Sequence, residues 1–306
     1  MDSSLISNFV AGLVNIVLVL LVAPLAQGIL RKVTARIQSR QGPPVLQPYF
    51  DLLKLLGKED IEAGEIPLMQ RFVSWLSLAS VLAVAALVPM GLGNSMNVAG
   101  DVVLLVYLLT LCSVCTLLAG LAAGSTYSLL GISREMMTMI TLEPLLAVAV
   151  IVGAIHAHSL RLDAVLSGSA YFGAPWSGVL MLIIMLFAFQ AFVQRVPFDV
   201  SEAETELMEG PLMEYSGPKL ALFKYAQMIR MIVYAALFIG LFAPLGLNTG
   251  SPLAFVIFWI KIFGLVLLVA VIGATHARYR IDQAIRYFAA MLGTSLVALL
   301  LASYGY

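Results

Sequence analysis

The sequence predicts an all-α integral membrane protein, a bundle of about eight transmembrane helices that forms a single domain over residues 1–306. Composition is the first observation behind this prediction, because 61% of the residues are hydrophobic and only 11% are charged. An ordinary soluble domain has roughly 25% charged residues, and a soluble fold of this length could not enclose so much apolar surface. The second observation is the recurrence of apolar runs of about 20 residues, the length that crosses a bilayer.

The apolar runs are separated by turn-forming residues, such as Gly124-Ser125 and Gly250-Ser251-Pro252. They lack strand-like alternation, and backbone groups in lipid must be satisfied within each segment, so we predict helices rather than a barrel. The run from Leu5 has no positively charged stretch before it, so we expect a retained helix and not a cleaved signal peptide. The predicted spans lie near residues 5–30, 72–91, 101–123, 136–157, 177–195, 229–247, 252–275 and 284–304.

The basic residues are distributed unevenly over the connections between these spans. All of the 17 Lys and Arg residues except Arg161 and Lys261 fall on one side of the predicted bundle. By the positive-inside rule this side is cytoplasmic, so we expect a multi-pass protein of the inner membrane with both termini outside. The two long polar connections, residues 31–71 and 196–228, are then both cytoplasmic. The net charge of zero gives no basic field for binding nucleic acid.

A short amphipathic helix is predicted in the first long connection. In residues 49–58 the apolar side chains recur with helix-like spacing, whereas Asp51, Lys54 and Lys58 are polar. A helix of this kind lies on the membrane surface or against a partner. A solvated linker is the alternative interpretation.

The second long connection contains a run of carboxylates. Between residues 196 and 218 there are six acidic residues and no Lys or Arg. On a helix, Asp199, Glu202, Glu206 and Glu209 would lie within an arc of roughly 80°, with Glu204 on the opposite side. Stacked carboxylates repel, so some should have raised pKa values and share a proton. We therefore predict proton transfer by this run, which ends at Glu214; a solvated acidic face is the alternative.

Ionisable residues inside the predicted spans are few, and such residues are candidates for a functional site. Glu143 lies in the fourth span before Pro144, Glu135 precedes it beside Arg134, and Lys261 lies in the middle of the seventh span. We predict proton transfer or electrostatic coupling for Glu135, Glu143 and Lys261. A buried structural ion pair involving Lys261 is the alternative.

The sequence has no pattern typical of a cofactor or metal site. Cys112 and Cys115 form a CxxC pattern in mid-membrane, where helix packing by small residues explains them better than a redox or zinc site. No nucleotide-binding loop and no set of four cysteines is present. We expect this chain to bind no metal or redox cofactor.

Two motifs resemble those of a known family. The first is Arg31-Lys32-x-x-x-Arg36-Ile37-Gln38-x-Arg40-x-Gly42-Pro43, followed by Gln47-Pro48-x-x-Asp51-x-x-Lys54-Leu55-x-x-Lys58. The second is Pro197-Phe198-Asp199-x-x-Glu202-Ala203-Glu204-x-Glu206-Leu207. They resemble the first and third cytoplasmic loops of the H-type membrane subunits of NADH:quinone oxidoreductase, respiratory complex I. Eight helices with both termini outside are also similar to that family.

Three departures distinguish this chain from the complex I members. Only Pro44-Val45-Leu46 lies between the Gly-Pro and the Gln-Pro, where those members have a longer insert, and Gln227 stands where they carry an acidic residue. The segment 209–214 reads Glu-Gly-Pro-Leu-Met-Glu where they usually have Ala-Gly-aromatic. This segment and Ser133-Arg134-Glu135 resemble instead the related subunit of group 4 energy-converting NiFe hydrogenases, such as formate hydrogenlyase.

The hydrogenase resemblance implies a membrane anchor and coupling subunit without catalytic residues of its own. The NiFe site and 4Fe–4S clusters would lie in partners, namely the hydrogenase large and small subunits and a ferredoxin-like iron–sulfur subunit. Antiporter-like membrane subunits would help to move H⁺ or Na⁺. Residues 31–60 and 195–218 would dock the arm through charged side chains, which are Arg31, Arg36, Arg40, Asp51, Lys54, Lys58 and Arg195.

Two alternatives to this function stay open. The first is the quinone-binding membrane subunit of a complex I-like NADH:quinone oxidoreductase. The second is a stand-alone secondary transporter, which is disfavoured because transporters usually bind their substrates near the midplane, whereas the ionisable residues of this chain gather on the connections.

Overall fold

The computed structural model describes residues 3–61, 66–91, 100–166, 175–202, 204–243 and 252–305, with side chains for all of these except residues 3–7, 204 and 205. Within these ranges the chain forms helices and no strand, apart from one isolated bridge between Asp101 and Arg161. The predicted all-α fold is confirmed. The helices are α1 (Ser3–Ile37), α2 (Gln47–Leu56), α3 (Pro67–Leu87), α4 (Val102–Ala123), α5 (Thr126–Ala157), α6 (Leu162–Leu166), α7 (Trp176–Phe192), α8 (Glu204–Leu207), α9 (Gly217–Phe242), α10 (Pro252–Thr275) and α11 (Ile281–Ser303).

Seven of the helices in these ranges are long and apolar enough to cross a membrane. The eighth apolar helix, α7, has 17 residues. At 1.5 Å per residue it is about 26 Å long, close to the roughly 30 Å of a hydrocarbon core. Each of these eight helices overlaps one predicted span, so the multi-pass bundle is confirmed.

Five of the spanning helices extend further than the sequence predicts on the side that carries most of the basic residues, namely α1, α3, α5, α9 and α11. α1 has 35 residues and α5 has 32, which is about 50 Å each and more than a bilayer requires. The hydroxyl of Ser125 caps α5 by accepting from the backbone N–H of Ser128, and Pro218 lies in the first turn of α9. The prediction that residues 196–228 form a connection is therefore wrong from Gly217 onward.

The core of the bundle is built around α9, which is the most buried of the candidate spans. It packs against α1, α2, α3, α7 and α10. It also carries Lys219 and Arg230, which are only 4% and 3% exposed. Arg230 lies inside α9 and not in a connection, because apolar residues continue on both sides of this charge and the helix includes all of them.

The predicted amphipathic helix is confirmed as α2, which packs against α1 and α9. Two tyrosines join these three helices at a position where α1 lacks a backbone hydrogen bond. Pro24 lies inside α1 and has no N–H, so the carbonyl of Leu20 lacks its usual helical donor. The hydroxyl of Tyr225 in α9 donates to this carbonyl at 2.7 Å, and the hydroxyl of Tyr49 in α2 donates to the carbonyl of Leu21.

The orientation in the membrane is testable with introduced cysteines, since the native Cys112 and Cys115 are buried. Cysteines replacing Leu46 or Met208, which are 53% and 64% exposed, should resist a membrane-impermeant thiol reagent in intact cells and react after permeabilisation. A cysteine replacing Leu160, at the opposite end of α5 and 59% exposed, should react without permeabilisation. The reverse pattern would overturn the topology predicted from the basic residues.

Candidate functional site

The acidic segment, residues 197–217, does not form the single helix that would align its carboxylates. Apart from residue 203, which lies outside the described residues, it consists of turns, the four-residue helix α8 and a 3-10 turn at Gly210–Leu212. Met208, Glu209 and Gly210 all have positive φ angles, of 48°, 75° and 52°, which no α-helix allows. The expectation that four carboxylates stack within one arc is therefore wrong.

Aromatic stacking and an ion pair fix the beginning of the acidic segment. The ring of Phe198 lies 5.1 Å from that of Tyr287 and 5.0 Å from that of Phe288, both on α11. Asp199 accepts a hydrogen bond from Arg278 at 3.0 Å, in the connection between α10 and α11. The Pro-Phe-Asp motif thus binds the segment to the last helix of the bundle.

Close backbone packing fixes the middle of the segment against α4 and α5. A Cβ atom at Gly131 of α5 would lie 2.7 Å from Cδ of Pro211, so this contact requires glycine. The hydroxyl of Ser128 donates to the carbonyl of Pro211 at 3.4 Å, and the hydroxyl of Tyr215 donates to the carbonyl of Ala119 at 2.9 Å. The Gly-Pro pair that distinguishes this sequence therefore has a specific packing role.

The carboxylates of the segment have separate partners. Arg134 of α5 donates to Glu206 at 2.6 Å, which holds the pKa of Glu206 below its usual value. Lys224 of α9 pairs with Glu209 at 3.1 Å. The side chain of Glu204 lies outside the described part of the structure, and Glu214 lines none of the cavities described below.

Glu202 borders a polar cavity of about 140 Å³, here called the outer cavity. The amide of Gln227 donates a hydrogen bond to this carboxyl group. Burial, reinforced by the charge of Asp199, raises the pKa of Glu202 to about 7. Glu202 can therefore exchange a proton near neutral pH, as the sequence predicts for at least one member of the run. The outer cavity is lined by Gln27, Arg31, Gln194, Arg195, Asp199, Glu202, Glu209, Leu212, Lys224, Gln227 and Met228.

Glu135 and Glu143 of α5 border a second cavity of about 30 Å³, here called the inner cavity. Glu135 is 4% exposed. Ser113 of α4 borders this cavity together with Glu143, whose Oε1 atom is buried without a hydrogen-bond partner among the described residues. The same cavity is bordered by Arg230 and Tyr234 of α9. A buried arginine thus lies beside both intramembrane carboxylates.

A third, smaller cavity of about 10 Å³, here called the junction cavity, is bordered by both Glu202 and Glu135. Gln194 borders all three cavities, and its amide donates to Glu135. The outer and inner cavities each exceed the roughly 10–15 Å³ that a water molecule needs, and the junction cavity is at this limit. The arrangement places three carboxyl groups in sequence, from Glu202 through Glu135 to Glu143.

Lys261 lies apart from this group. Its ammonium group donates to the carbonyl of Ala243, at the end of α9, at 2.9 Å. It borders none of the outer, inner and junction cavities, which contain Glu135 and Glu143. Its assignment to proton transfer or coupling stays a prediction.

The two segments predicted to dock a partner lie next to each other. Lys219 pairs with Asp60 at 3.2 Å, and the hydroxyl of Ser216 accepts from the backbone N–H of Ile61 at 3.1 Å. Of the predicted docking residues, Arg36, Arg40, Lys54 and Lys58 are exposed. Arg31 pairs with Asp51 at 3.0 Å, and Arg195 donates to Gln27 at 2.8 Å. Docking itself stays a prediction for all of them.

Sequence reasoning missed Gln194, Arg230 and Tyr234. Arg230 was detectable, because it is a lone charge within the apolar run from Met228 to Phe242. Gln194 and Tyr234 carry no such signal, since neither ionises near neutral pH and neither belongs to a recognisable motif. Only the packing of α5, α7 and α9 brings them to the carboxylates.

The raised pKa of Glu202 predicts a titrating band in infrared difference spectra. Below pH 7 the group should be largely protonated and above it ionised, so the carboxyl band should fade as the pH rises through about 7. Glu202→Gln should weaken the band by the share of one carboxyl group, whereas Glu206→Gln should leave it unchanged, because the pKa of Glu206 is lowered. A band of unchanged intensity in Glu202→Gln would contradict this assignment.

Comparison with known proteins gives matches over nearly the whole chain. The family model described as NADH dehydrogenase matches residues 10–303. Hydrogenase-4 component C of Escherichia coli is 35% identical over 295 residues and covers 94% of this chain and 93% of that protein. Formate hydrogenlyase subunit 4 of the same organism is 32% identical over 294 residues and covers 94% and 96%. The H-type subunit of NADH-quinone oxidoreductase from Anaplasma phagocytophilum is 32% identical over 290 residues and covers 84% of each chain.

The fold has a close counterpart among solved structures. A chain in the structure of the membrane-bound sulfane sulfur reductase, an archaeal respiratory membrane complex, matches with a TM-score of 0.84 and 26% identity, covering 97% of this chain and 99% of that one. The relatives are subunits of multi-subunit membrane complexes, so the partners of this chain are other subunits of such a complex. Both resemblances inferred from the sequence motifs are confirmed. The match over residues 10–303 and these full-length relatives show that the chain belongs to the NADH dehydrogenase family.

Proposed function

We propose that this chain is the membrane anchor and coupling subunit of an energy-converting NiFe hydrogenase, which links hydrogen evolution in a cytoplasmic arm to the movement of H⁺ or Na⁺. The observation that carries the proposal is the nearly end-to-end similarity to hydrogenase-4 component C and formate hydrogenlyase subunit 4. The Gly210-Pro211 pair also supports it, because this pair resembles the hydrogenase branch. The pair packs directly against α5.

The anchoring role is supported by the surface on which the two long connections meet. The pair between Lys219 and Asp60 joins them, and Asp60 lies two residues after the exposed Lys58. Lys54 and Lys58 extend this surface on and beyond α2. A rigid, charged face of this kind suits the docking of the hydrogenase large and small subunits and the ferredoxin-like subunit.

The coupling role is supported by the three carboxyl groups that follow one another from the surface into the bundle. A proton can enter at the outer cavity, reach Glu202, and pass through water in the junction cavity to Glu135. Glu135 and Glu143 both border the inner cavity, so a proton that reaches Glu135 has a second carboxyl group on the same cavity. Antiporter-like partner subunits would continue this route through the membrane.

The quinone-binding membrane subunit of a complex I-like enzyme is the second candidate function. It is favoured by the 32% identity to the NADH-quinone oxidoreductase relative. The outer cavity of about 140 Å³ counts against it, because pockets for drug-sized ligands usually have about 300–1,000 Å³ and apolar walls. Charged side chains of both signs line this cavity, an arrangement better suited to water than to a quinone ring.

Isolation of the intact complex tests the proposed function. The tagged protein, extracted in mild detergent, should retain hydrogenase large and small subunits, a ferredoxin-like iron–sulfur subunit and antiporter-like membrane subunits, which mass spectrometry identifies. Recovery of NADH-oxidising subunits in place of the hydrogenase subunits would favour the second candidate. Recovery of the chain without partners would overturn both.

A further inference from the structure

Gln194 occupies the point at which the three cavities adjoin. It is a wall residue of the outer, junction and inner cavities. Glu202 borders the first two of these and Glu135 the last two, so Gln194 stands between the carboxyl groups that would exchange a proton. No direct hydrogen bond joins Glu202 to Glu135 among the described contacts, and the junction cavity separates them.

The backbone of Gln194 is unusual for this residue type. Its φ angle is 52°, in the left-handed region, just after the end of α7. Its N–H donates to the carbonyl of Ala191 at 3.0 Å, and the N–H of Arg195 donates to the carbonyl of Gln190 at 3.4 Å. Helix ends of this kind favour Gly or Asn. The left-handed backbone conformation does not favour glutamine at this position. The contacts of its side chain are therefore the feature that distinguishes this residue.

The side chain of Gln194 binds one of the buried carboxyl groups. Its amide N–H donates to Oε1 of Glu135, which is 4% exposed. A neutral amide serves both protonation states of a carboxyl group, because its N–H donates to the carboxylate and its oxygen accepts from the carboxylic acid. It can therefore hold Glu135 in place before and after a proton arrives.

The neighbouring Gln190 shows what a structural amide does at the same helix end. Its amide donates to the carbonyls of Val196 at 2.5 Å and Val269 at 3.3 Å, and it borders none of the three cavities. Both of its bonds go to backbone. Gln194, in contrast, directs its amide to an ionisable group inside the bundle.

We propose that Gln194 is the positioning residue that sets the passage of protons between Glu202 and Glu135. The proposal rests on the coupling role of the proposed function. The proton leaves Glu202, passes through water in the junction cavity and binds Glu135, while the amide of Gln194 turns from donor to acceptor. Glu202 is left as a carboxylate, ready for the next proton from the outer cavity.

Two variants of equal side-chain length test this role in the intact complex. Gln194→Met fills the same space without a hydrogen bond, and Gln194→Glu keeps a polar group at the same reach. The backbone conformation is equally unfavourable for all three residues. In the Met variant, ion movement coupled to hydrogen evolution should fall at least about tenfold, in line with the contribution of positioned proton-transfer groups. Hydrogenase activity with an artificial dye should persist.

The relative coupled activity of the two variants distinguishes a positioning role from a packing role. The Glu variant should retain more coupled activity than the Met variant. A packing role predicts the opposite order, because methionine is apolar whereas glutamate adds a buried charge beside Glu135. Gln70→Met is the matched control, since Gln70 is 1% exposed on α3 and borders none of the three cavities. It should leave the coupled rate per assembled complex unchanged.

The outcomes distinguish this proposal from the function on which it rests. Wild-type coupling in Gln194→Met, together with lost coupling in Glu143→Gln, would refute the role of Gln194 and keep the route. Wild-type coupling in Glu143→Gln and Glu202→Gln as well would refute the route itself. Failure of both Gln194 variants to assemble would assign the residue to folding and overturn the proposal.

Discussion

Glu143→Gln should leave the complex assembled but reduce ion movement coupled to hydrogen evolution at least about tenfold, since positioned proton-transfer groups contribute roughly 10²–10⁴-fold to rates. Glutamine preserves the volume of the side chain and its polar end. It cannot bind or release a proton, so transfer from Glu135 should stop at the inner cavity. Hydrogenase activity with an artificial dye should persist, because the redox chemistry would lie in the partner subunits.

A matched control for this variant is Asp163→Asn, which also replaces a carboxylate by its amide. Asp163 lies on α6 and pairs with the exposed Arg161 at 2.9 Å. It borders none of the cavities that contain Glu135, Glu143 and Glu202. Coupled activity should be unchanged. A coupled rate in Glu143→Gln equal to that of the control would assign Glu143 a structural role.

Gly210→Ala should reduce the yield of assembled complex severalfold and lower its unfolding temperature. A Cβ atom at Gly210 would lie 2.2 Å from the carbonyl oxygen of Ser201, and the φ angle of 52° is unfavourable for alanine. The clash is with backbone, so a side-chain rotation cannot relieve it. Overpacking of this kind costs about 1–3 kcal/mol, and here it would also displace the residues next to Glu202.

The control for this substitution is Gly264→Ala in α10. A Cβ atom added at Gly264 would meet no atom of the described residues within 4 Å, and alanine is a better helix former than glycine. Yield and unfolding temperature should therefore equal or exceed those of the wild type. If Gly210→Ala behaves like this control, the close packing of the acidic segment on its own backbone is not needed for assembly.

The membrane spans are predictable from the sequence because an apolar run of about 20 residues is a local property. Their ends are less predictable. α5 begins at Thr126 and α9 at Gly217, because both helices continue into polar residues outside the predicted apolar runs. Hydropathy measures where a helix meets lipid, whereas helix caps and tertiary contacts decide where it ends.

The chemistry of the acidic segment is predictable, but its geometry is not. A run of carboxylates that has no Lys or Arg within it and lies beside a membrane indicates raised pKa values. The pKa of Glu202 is raised. The run also contains Pro197, Pro211 and Gly210, which favour turns over a helix. Arg134, Lys224 and Arg278 reach three of the carboxylates from distant helices or connections. These long-range partners separate charges that a single helix would have stacked.

The junction between the surface and the intramembrane carboxylates is not visible in the sequence. Glu135 and Glu202 are far apart along the chain, and Gln194 is neither charged nor part of a charge run. Their proximity depends on how α5, α7 and the turns after α7 pack together. Sequence patterns that act within one element cannot reveal such a three-way contact.

The proposed function requires that this subunit serves hydrogen evolution coupled to ion movement. The most direct measurement supplies membranes containing the intact complex with a reduced low-potential electron donor. Hydrogen release and ion movement across the membrane are followed together, and reduction of a short-chain quinone is assayed separately. Hydrogen release should drive ion movement, and the quinone should not be reduced. Inhibitor-sensitive quinone reduction without hydrogen release would contradict it and favour the quinone-binding function.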